Sequence, residues 1–346
     1  VNQEGQAQEI PLGIWDPERF VREVEPRAVE LSRGFLRCRP EAWFPGFAAQ
    51  WMSLAHSLGL EAKLVAVNTR LEAPKEFEVF FGALVDDEPI IIQSTRDSCQ
   101  ALVDCICPSL YGVASTVAPA TIMLEYMARR FVASLALAWT GPQQSVVRFD
   151  AGLRIEDVPA QGAIEMVFQL NGRECSVWIS IGPRLVAQFD GLWRRQLMST
   201  SAAAAEPTEI FIEAAQLAVP PSMLVEYTRS GTIVDLEVPL SDSVVLKQGG
   251  RPWMAAKLCS VNGQLAFETL AGTPPAPALP EGTTRLSLQF GGLTVDPRTI
   301  AELSQAGAII KTEIELSDQV AMVINGEVVA EATLCVYEGR LAISVN

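Results

Sequence analysis

The chain has 346 residues, of which 49% are hydrophobic, and carries a formal net charge of −15 with a pI near 4.6. That length fits two or three domains, and the apolar fraction is ample for globular cores. So acidic a surface disfavours contact with a phosphate backbone, which excludes nucleic acid as an expected partner, and it suits a soluble protein that resists non-specific association.

The opening VNQEGQAQEIPLG has neither a basic n-region nor an apolar h-region and does not read as a signal peptide. The longest apolar run, Phe131–Trp139, is too short to span a bilayer. A cytoplasmic location is therefore expected. Val21–Leu36 reads as a helix that Pro26 interrupts, and Phe47–Leu58 as an amphipathic helix ended by Gly59. Glu61–Leu71, Glu76–Val85 and Glu88–Ser94 read as strands, with Asp86-Asp87-Glu88 a solvated turn. Thr95–Ile106 is compatible with strand or helix; as a strand it places Cys105 and Cys107 on one face, and as a helix Asp97 is a candidate cap. Pro119–Trp139 is the longest helical pattern, with Met123, Met127, Phe131, Leu135 and Leu137 near one face as core filler. Val146–Ile155, Ala163–Leu170 and Glu174–Ile181 return to strand patterning around an Asn171-Gly172 turn, and Arg194-Arg195 ends a short helix. Residues 1–198 thus read as one mixed N-terminal domain, followed by a linker over 199–207 (STSAAAAEP).

From there the chain is one unit written twice. GTIVDLEVPLSDSVVLKQGG, starting at Gly231, returns 76 positions later as GAIIKTEIELSDQVAMVING, starting at Gly307. The match needs no gap: Leu240-Ser241-Asp242 falls on Leu316-Ser317-Asp318, Gly250 on Gly326, Leu258-Cys259 on Leu334-Cys335 and Leu265-Ala266 on Leu341-Ala342. In the second copy, Asp296-Pro297 opens a short helix, Gly307 closes it in the left-handed region, and four runs rich in β-branched residues follow: Ile309–Leu316, Val320–Ile324, Glu327–Val336 and Arg340–Val345. Asn325-Gly326 is a strong hairpin signal. In the first copy Pro220-Pro221, Gly231, Gly249-Gly250 and Asn262-Gly263 take the corresponding places. A proline-rich linker, 271–283, separates a first repeat domain at 208–270 from a second at 284–346. Units this small bury too little apolar surface to stand alone, so the expected architecture is α+β: a mixed N-terminal domain and two small, mostly-β domains paired as a pseudo-dimer, with Met322 in the shared core.

Motifs for turnover are missing. His56 is the single histidine and lies beside Ser53 and Ser57 on the polar side of its helix; there is no phosphate-binding glycine loop of either standard spacing. Seven cysteines, an odd number, show no zinc spacing and read as buried thiols in a reducing compartment. The expectation is no enzyme, no cofactor and no metal.

The order helix, glycine, β-rich strand, L-S-D-x-V, hairpin at Asn325-Gly326, then the Leu334-to-Ile343 stretch resembles the SPOA (surface presentation of antigens) domain of the flagellar switch protein FliN. Two such domains behind a longer N-terminal region resemble the SctQ family, the cytoplasmic-ring or sorting-platform proteins of type III secretion systems. The resemblance implies an adaptor at the cytoplasmic face of the inner-membrane secretion apparatus. Its implied partners are an SctL-type stator, an SctK-type adaptor, the export ATPase complex and chaperone–effector complexes. It also implies a possible internally translated C-terminal fragment; Met198 and Met223 precede Met254, and no methionine falls between Met254 and Met322. The alternative within this class is a flagellar switch component of FliM/FliN type. A CheC-type phosphatase is a further alternative, but the nearest match to its helix motif, Thr121, Glu125 and Ala128, lacks the asparagine. The repeats diverge most at Arg251-Pro252-Trp253-Met254 against Glu327-Val328-Val329-Ala330. A recognition surface can differ between copies, so Trp253, Met254, Val328 and Val329 are the candidate partner contacts. Trp253 reads either as an anchor or as filler of the pseudo-dimer core. Pro252 removes a ladder donor, so an edge or a bulge is expected there.

Overall fold

The computed structural model describes residues 12–39, 46–74, 77, 79–107, 118–138, 145–200, 206–275 and 278–346. The chain is α+β, built on two largely antiparallel sheets. It divides into two compact units, one of residues 34–196 and one that joins the first 33 residues to 197–346. A single N-terminal domain over 1–198 is therefore not what forms: among the described residues, 12–33 belong with the repeats.

These residues make four short elements: β1 (Gly13–Ile14), α1 (Pro17–Phe20), β2 (Arg22–Glu23) and α2 (Pro26–Ser32). Pro26 does not interrupt a helix here. It starts one, at the first helical position, where its missing N–H costs nothing.

The 34–196 unit runs α3 (Phe47–Ser57), β3 (Ala62–Arg70), β4 (Val79–Val85), β5 (Glu88–Ser94), α4 (Arg96–Ile106), α5 (Ala118–Ala138), β6 (Val147–Asp150), β7 (Gly162–Leu170), β8 (Arg173–Ile181) and α6 (Pro183–Thr200), the last continuing past the boundary. Its sheet order is β3-β7-β8-β5-β4-β6. The expected strand starting at Glu76 begins at Val79, and residues 75, 76 and 78 lie outside the described residues. Thr95–Ile106 resolves as helix, capped by the Thr95 hydroxyl, which accepts the Ser98 N–H at 3.3 Å; Asp97 sits inside the first turn. Cys105 and Cys107 accordingly lie at a helix end, not on a strand face. On α5, Met127, Phe131 and Leu135 are buried and Trp51 meets Phe131 edge-on at 5.5 Å, but Leu137 is exposed. Two residues beyond Leu135 lies the opposite side of a helix. Helix α6 is longer than expected, running through Arg194-Arg195, with Arg194 paired to Asp190 at 2.9 Å. It takes in the first two residues of the expected linker, whose residues 201–205 lie outside the described ones. Among the described residues no helix is long and apolar enough to cross a membrane.

The repeat sequence forms β9 (Thr208–Val219), a 3-10 turn, α7 (Leu224–Tyr227), β10 (Ile233–Pro239), β11 (Ser243–Gln248), β12 (Arg251–Val261) and β13 (Gln264–Thr269), and then β14 (Thr284–Val295), α8 (Pro297–Leu303), β15 (Ile309–Glu315), β16 (Gln319–Ile324), β17 (Glu327–Tyr337) and β18 (Arg340–Val345). Their order is β10-β18-β17-β16-β14-β9-β11-β12-β13-β15. Exchanging each strand for its repeat counterpart reverses this string onto itself. The sheet is a pseudo-two-fold with its axis between β9 and β14. The repeats are intertwined: β10 pairs with β18 and β15 with β13, so each copy's last strand is covered by the other copy. All four hairpin turns of the repeats, Gly249-Gly250, Asn262-Gly263, Asn325-Gly326 and Glu338-Gly339, have positive φ at both residues, as type I′ turns require. Gly231 and Gly307, both left-handed, donate to the final strand of the opposite repeat, at Val345 (2.8 Å) and Thr269 (2.6 Å). One continuous core, including Leu246, Leu286, Leu288, Met322 and Ile343, fills both halves.

Candidate partner-binding face

The axis strands carry the face. In β9 the residues Ile210 and Ile212 point to the core, and Glu209, Phe211 and Glu213 to the other side, as period-two alternation dictates. Alternation slips at Ala214 and at its counterpart Phe290, each skipped in the β9–β14 register. On the far side of the core, the Lys247 ammonium of β11 donates to the Glu213 carboxylate at 2.5 Å, and the Ser287 hydroxyl of β14 donates to the same oxygen. Gln289 donates to Ser287 at 3.0 Å. The Lys247 and Glu213 side chains are only 6% and 2% exposed, so each depends on the other for its charge to be tolerated. Their counterparts in the second repeat are Val323 and Gln289, so the ion pair exists in one half only.

Above this floor runs a groove of about 760 Å³ whose sides include both hairpin tips, through Gly250 and through Asn325, Gly326 and Val328, together with Leu279 of the proline-rich segment. Val328 is 63% exposed and Val329 is exposed beside it. Met254 is buried in the core, which removes it from the candidate contacts. Trp253 is half-buried and packs against the core. A bulge does occur at Trp253: Leu246 faces Met254 and Lys247 faces Pro252. Val329 is skipped in the same way in the second copy. The bulge therefore belongs to the repeat and is not produced by Pro252.

The L-S-D motif has a structural explanation. The Asp242 and Asp318 carbonyls accept the N–H of Leu258 and Leu334, both at 2.7 Å. The Ser241 and Ser317 hydroxyls accept the N–H two residues on, both at 3.3 Å. Burial pushes the Cys259 thiol up to about 12 and raises that of Cys335, as equivalent core positions should. Asp296 caps α8, accepting the N–H groups of Arg298 and Thr299 at 2.9 and 3.0 Å. Those bonds, the Thr299 N–H foremost, hold its carboxyl below the usual range. Among the described residues no cluster of three or more His, Cys, Asp or Glu side chains could hold a metal.

No protein-family model matches the chain, and no curated protein matches it. Solved structures show distant likenesses. The FliM middle domain from Vibrio alginolyticus is 12% identical over 43% of this chain and 95% of its own, with a TM-score of 0.31. FliM in a FliM–SpeE complex from H. pylori is 10% identical over 49% and 98%, at 0.33. FliY of Thermotoga maritima is 10% identical over 50% and 98%, at 0.31. Scores this low carry no argument about what the chain does.

The groove floor is hard to see in the sequence because bulges break the strand period of 208–219 and 284–295 midway. The available signal was the I-F-I-E alternation at Ile210–Glu213, cut short by the bulge at Ala214. A lysine and a glutamate 34 positions apart give no sign in sequence that they meet.

Proposed function

We propose that the chain is a scaffold in the cytoplasmic ring, or sorting platform, of a type III secretion system, and that it acts by binding. In this reading the repeat pair holds an SctL-type stator, an SctK-type adaptor joins the same platform, and the export ATPase complex and chaperone–effector complexes gather on it. The intertwined pair is the observation that carries the reading. Tandem copies of a repeat that resembles SPOA form one intertwined, two-fold sheet with an open groove between its hairpin tips. Apolar side chains at a groove rim suit an extended or helical segment of a partner. On α5, Ala128 is buried and Glu125 is paired with Arg129 at 2.7 Å, which favours a structural role for that helix over a phosphatase one.

Titration of the full chain with the stator protein of the same apparatus tests this. Val328→Asp, at an exposed position, should weaken binding by about 2 kcal/mol with the melting temperature unchanged. A stator that does not bind the wild-type chain would remove the reading, and turnover of a phosphorylated response regulator would replace it with the enzymatic one.

A further inference from the structure

The two-fold sheet has a second kind of site, repeated on both sides of its axis. Strands β12 and β17 each run past the start of the neighbouring strand, β11 at Ser243 and β16 at Gln319. On that side the backbone of Cys259-Ser260 and of its counterpart Cys335-Val336 has no partner within the repeats. One segment fills both notches. Gly13-Ile14 pairs antiparallel with Val336-Cys335, and Arg22-Glu23 pairs parallel with Cys259-Ser260. A single chain crossing a two-fold axis must meet one equivalent edge antiparallel and the other parallel, and this is what residues 13–23 do.

Side chains lock the crossing in one direction. Trp15, 2% exposed, lies against Phe290 at the axis with ring centroids 6.1 Å apart, whereas the counterpart of Phe290 is Ala214, which offers no ring. Arg22 pairs with Glu268 at 2.8 Å, and the Ser32 hydroxyl accepts the Ile309 N–H at 2.9 Å. Yet each strand contact is two residues long, and Gly13 approaches Val336 so closely that a Cβ would lie 3.2 Å from its Cβ. The segment is held as a peptide ligand is held, by short strand additions and one aromatic anchor.

We propose that the paired notches and the Trp15 seat form a peptide-docking site whose ligand is residues 12–33 of this sequence, and that a second copy of the chain can supply that ligand in trans. Such an exchange replaces each contact with an identical one, so it costs little beyond the loss of the tether. It links copies wherever they are crowded together.

The probe is a fluorescein-labelled synthetic peptide of residues 10–34, added to the full-length Trp15→Ala chain, whose own segment is weakened. Anisotropy should show saturable binding at least tenfold tighter than to the wild-type chain, where the site is occupied. The same peptide carrying Trp15→Ala should bind at least tenfold more weakly. Equal binding of the two peptides, or no binding to a Trp15→Ala chain that keeps its circular dichroism, overturns the proposal. Should Trp15→Ala not fold, a protease site inserted after Arg33 in the wild-type chain gives the second measurement. After cleavage the labelled peptide should replace the nicked segment within a day, and failure to exchange overturns the proposal.

Discussion

Ile233 and Ile309 are the same residue at the same place in the two repeats, yet Ile233 is 48% exposed and Ile309 is 6% exposed. Glu226 and Glu302 are likewise identical; Glu226 is exposed, and Glu302 is buried between Arg33 (3.3 Å) and Arg298 (3.5 Å). The cause is the same in both cases. Helix α2 and the residues that close it cover Ile309 and Glu302 of the second repeat, packing also on Cys259, Val261 and Ala266 of the first, and no such helix lies at the two-fold-related place over Ile233 and Glu226 among the described residues. The backbone of the pair is two-fold, and its surface is not. An element from outside the repeat decides which copy is covered, and the Glu213–Lys247 pair marks the other half. Identical sequence thus fixes a shared frame and leaves each copy free to face a different neighbour.

The frame can be tested where the copies should agree. Leu246 and Met322 occupy equivalent, fully buried core positions. Leu246→Asp and Met322→Asp should each cost about 3–5 kcal/mol, because each strands a carboxyl in an apolar core. Urea unfolding measures both, and an unchanged midpoint for either would end the symmetry of the core.

The next effect lies where the halves differ. Lys247→Met leaves Glu213 charged, buried and unpaired, and should cost about 3–5 kcal/mol. Glu213→Gln combined with Lys247→Val copies the second half onto the first. That double variant should recover nearly all of the loss or exceed wild type, since well-packed neutral replacements of buried pairs are often neutral or better. A double variant as unstable as the single one would show that the pair is needed for the fold itself.

Smaller again is the contrast at the bulge. Trp253→Ala, removing a half-buried ring, should cost about 2 kcal/mol. Val329→Ala, at the exposed counterpart, should stay within about 0.5 kcal/mol. Equal losses in thermal unfolding would mean that the two bulges are packed alike.

The smallest contrast is at the helix starts, where Asp296 caps the second copy and Pro220 stands in the first. Asp296→Ala should cost about 1 kcal/mol at neutral pH. Because its folded-state carboxyl is held low, the stability it adds is present above the unfolded value and is lost as pH falls through the folded value. Urea midpoints of wild type and Asp296→Ala should therefore converge in acid, and a gap that persists at low pH would rule out the carboxylate as the cap.

Local chemistry made much of this protein legible without coordinates. Turn dipeptides that tolerate positive φ, runs of β-branched residues between them, and Gly231 and Gly307 after short helices place β10–β13 and β15–β18 within a residue or two. The gapless repeat foretold a paired core because neither copy is large enough alone. What stayed hidden is non-local. Strands β9 and β14 have their alternation broken by bulges at Ala214 and Phe290, so the period that identifies a strand fails midway. β1 and β2 are two residues each, too short to have any period, and exist because an edge of β17 or β12 was open to them. That β10 pairs with β18 of the other repeat, that Lys247 finds Glu213, and that Ile309 is covered while Ile233 is not are facts about which surfaces meet. Sequence determines which segments want a partner; only the assembled sheet, by leaving some edges paired and others open, decides which partner each one gets.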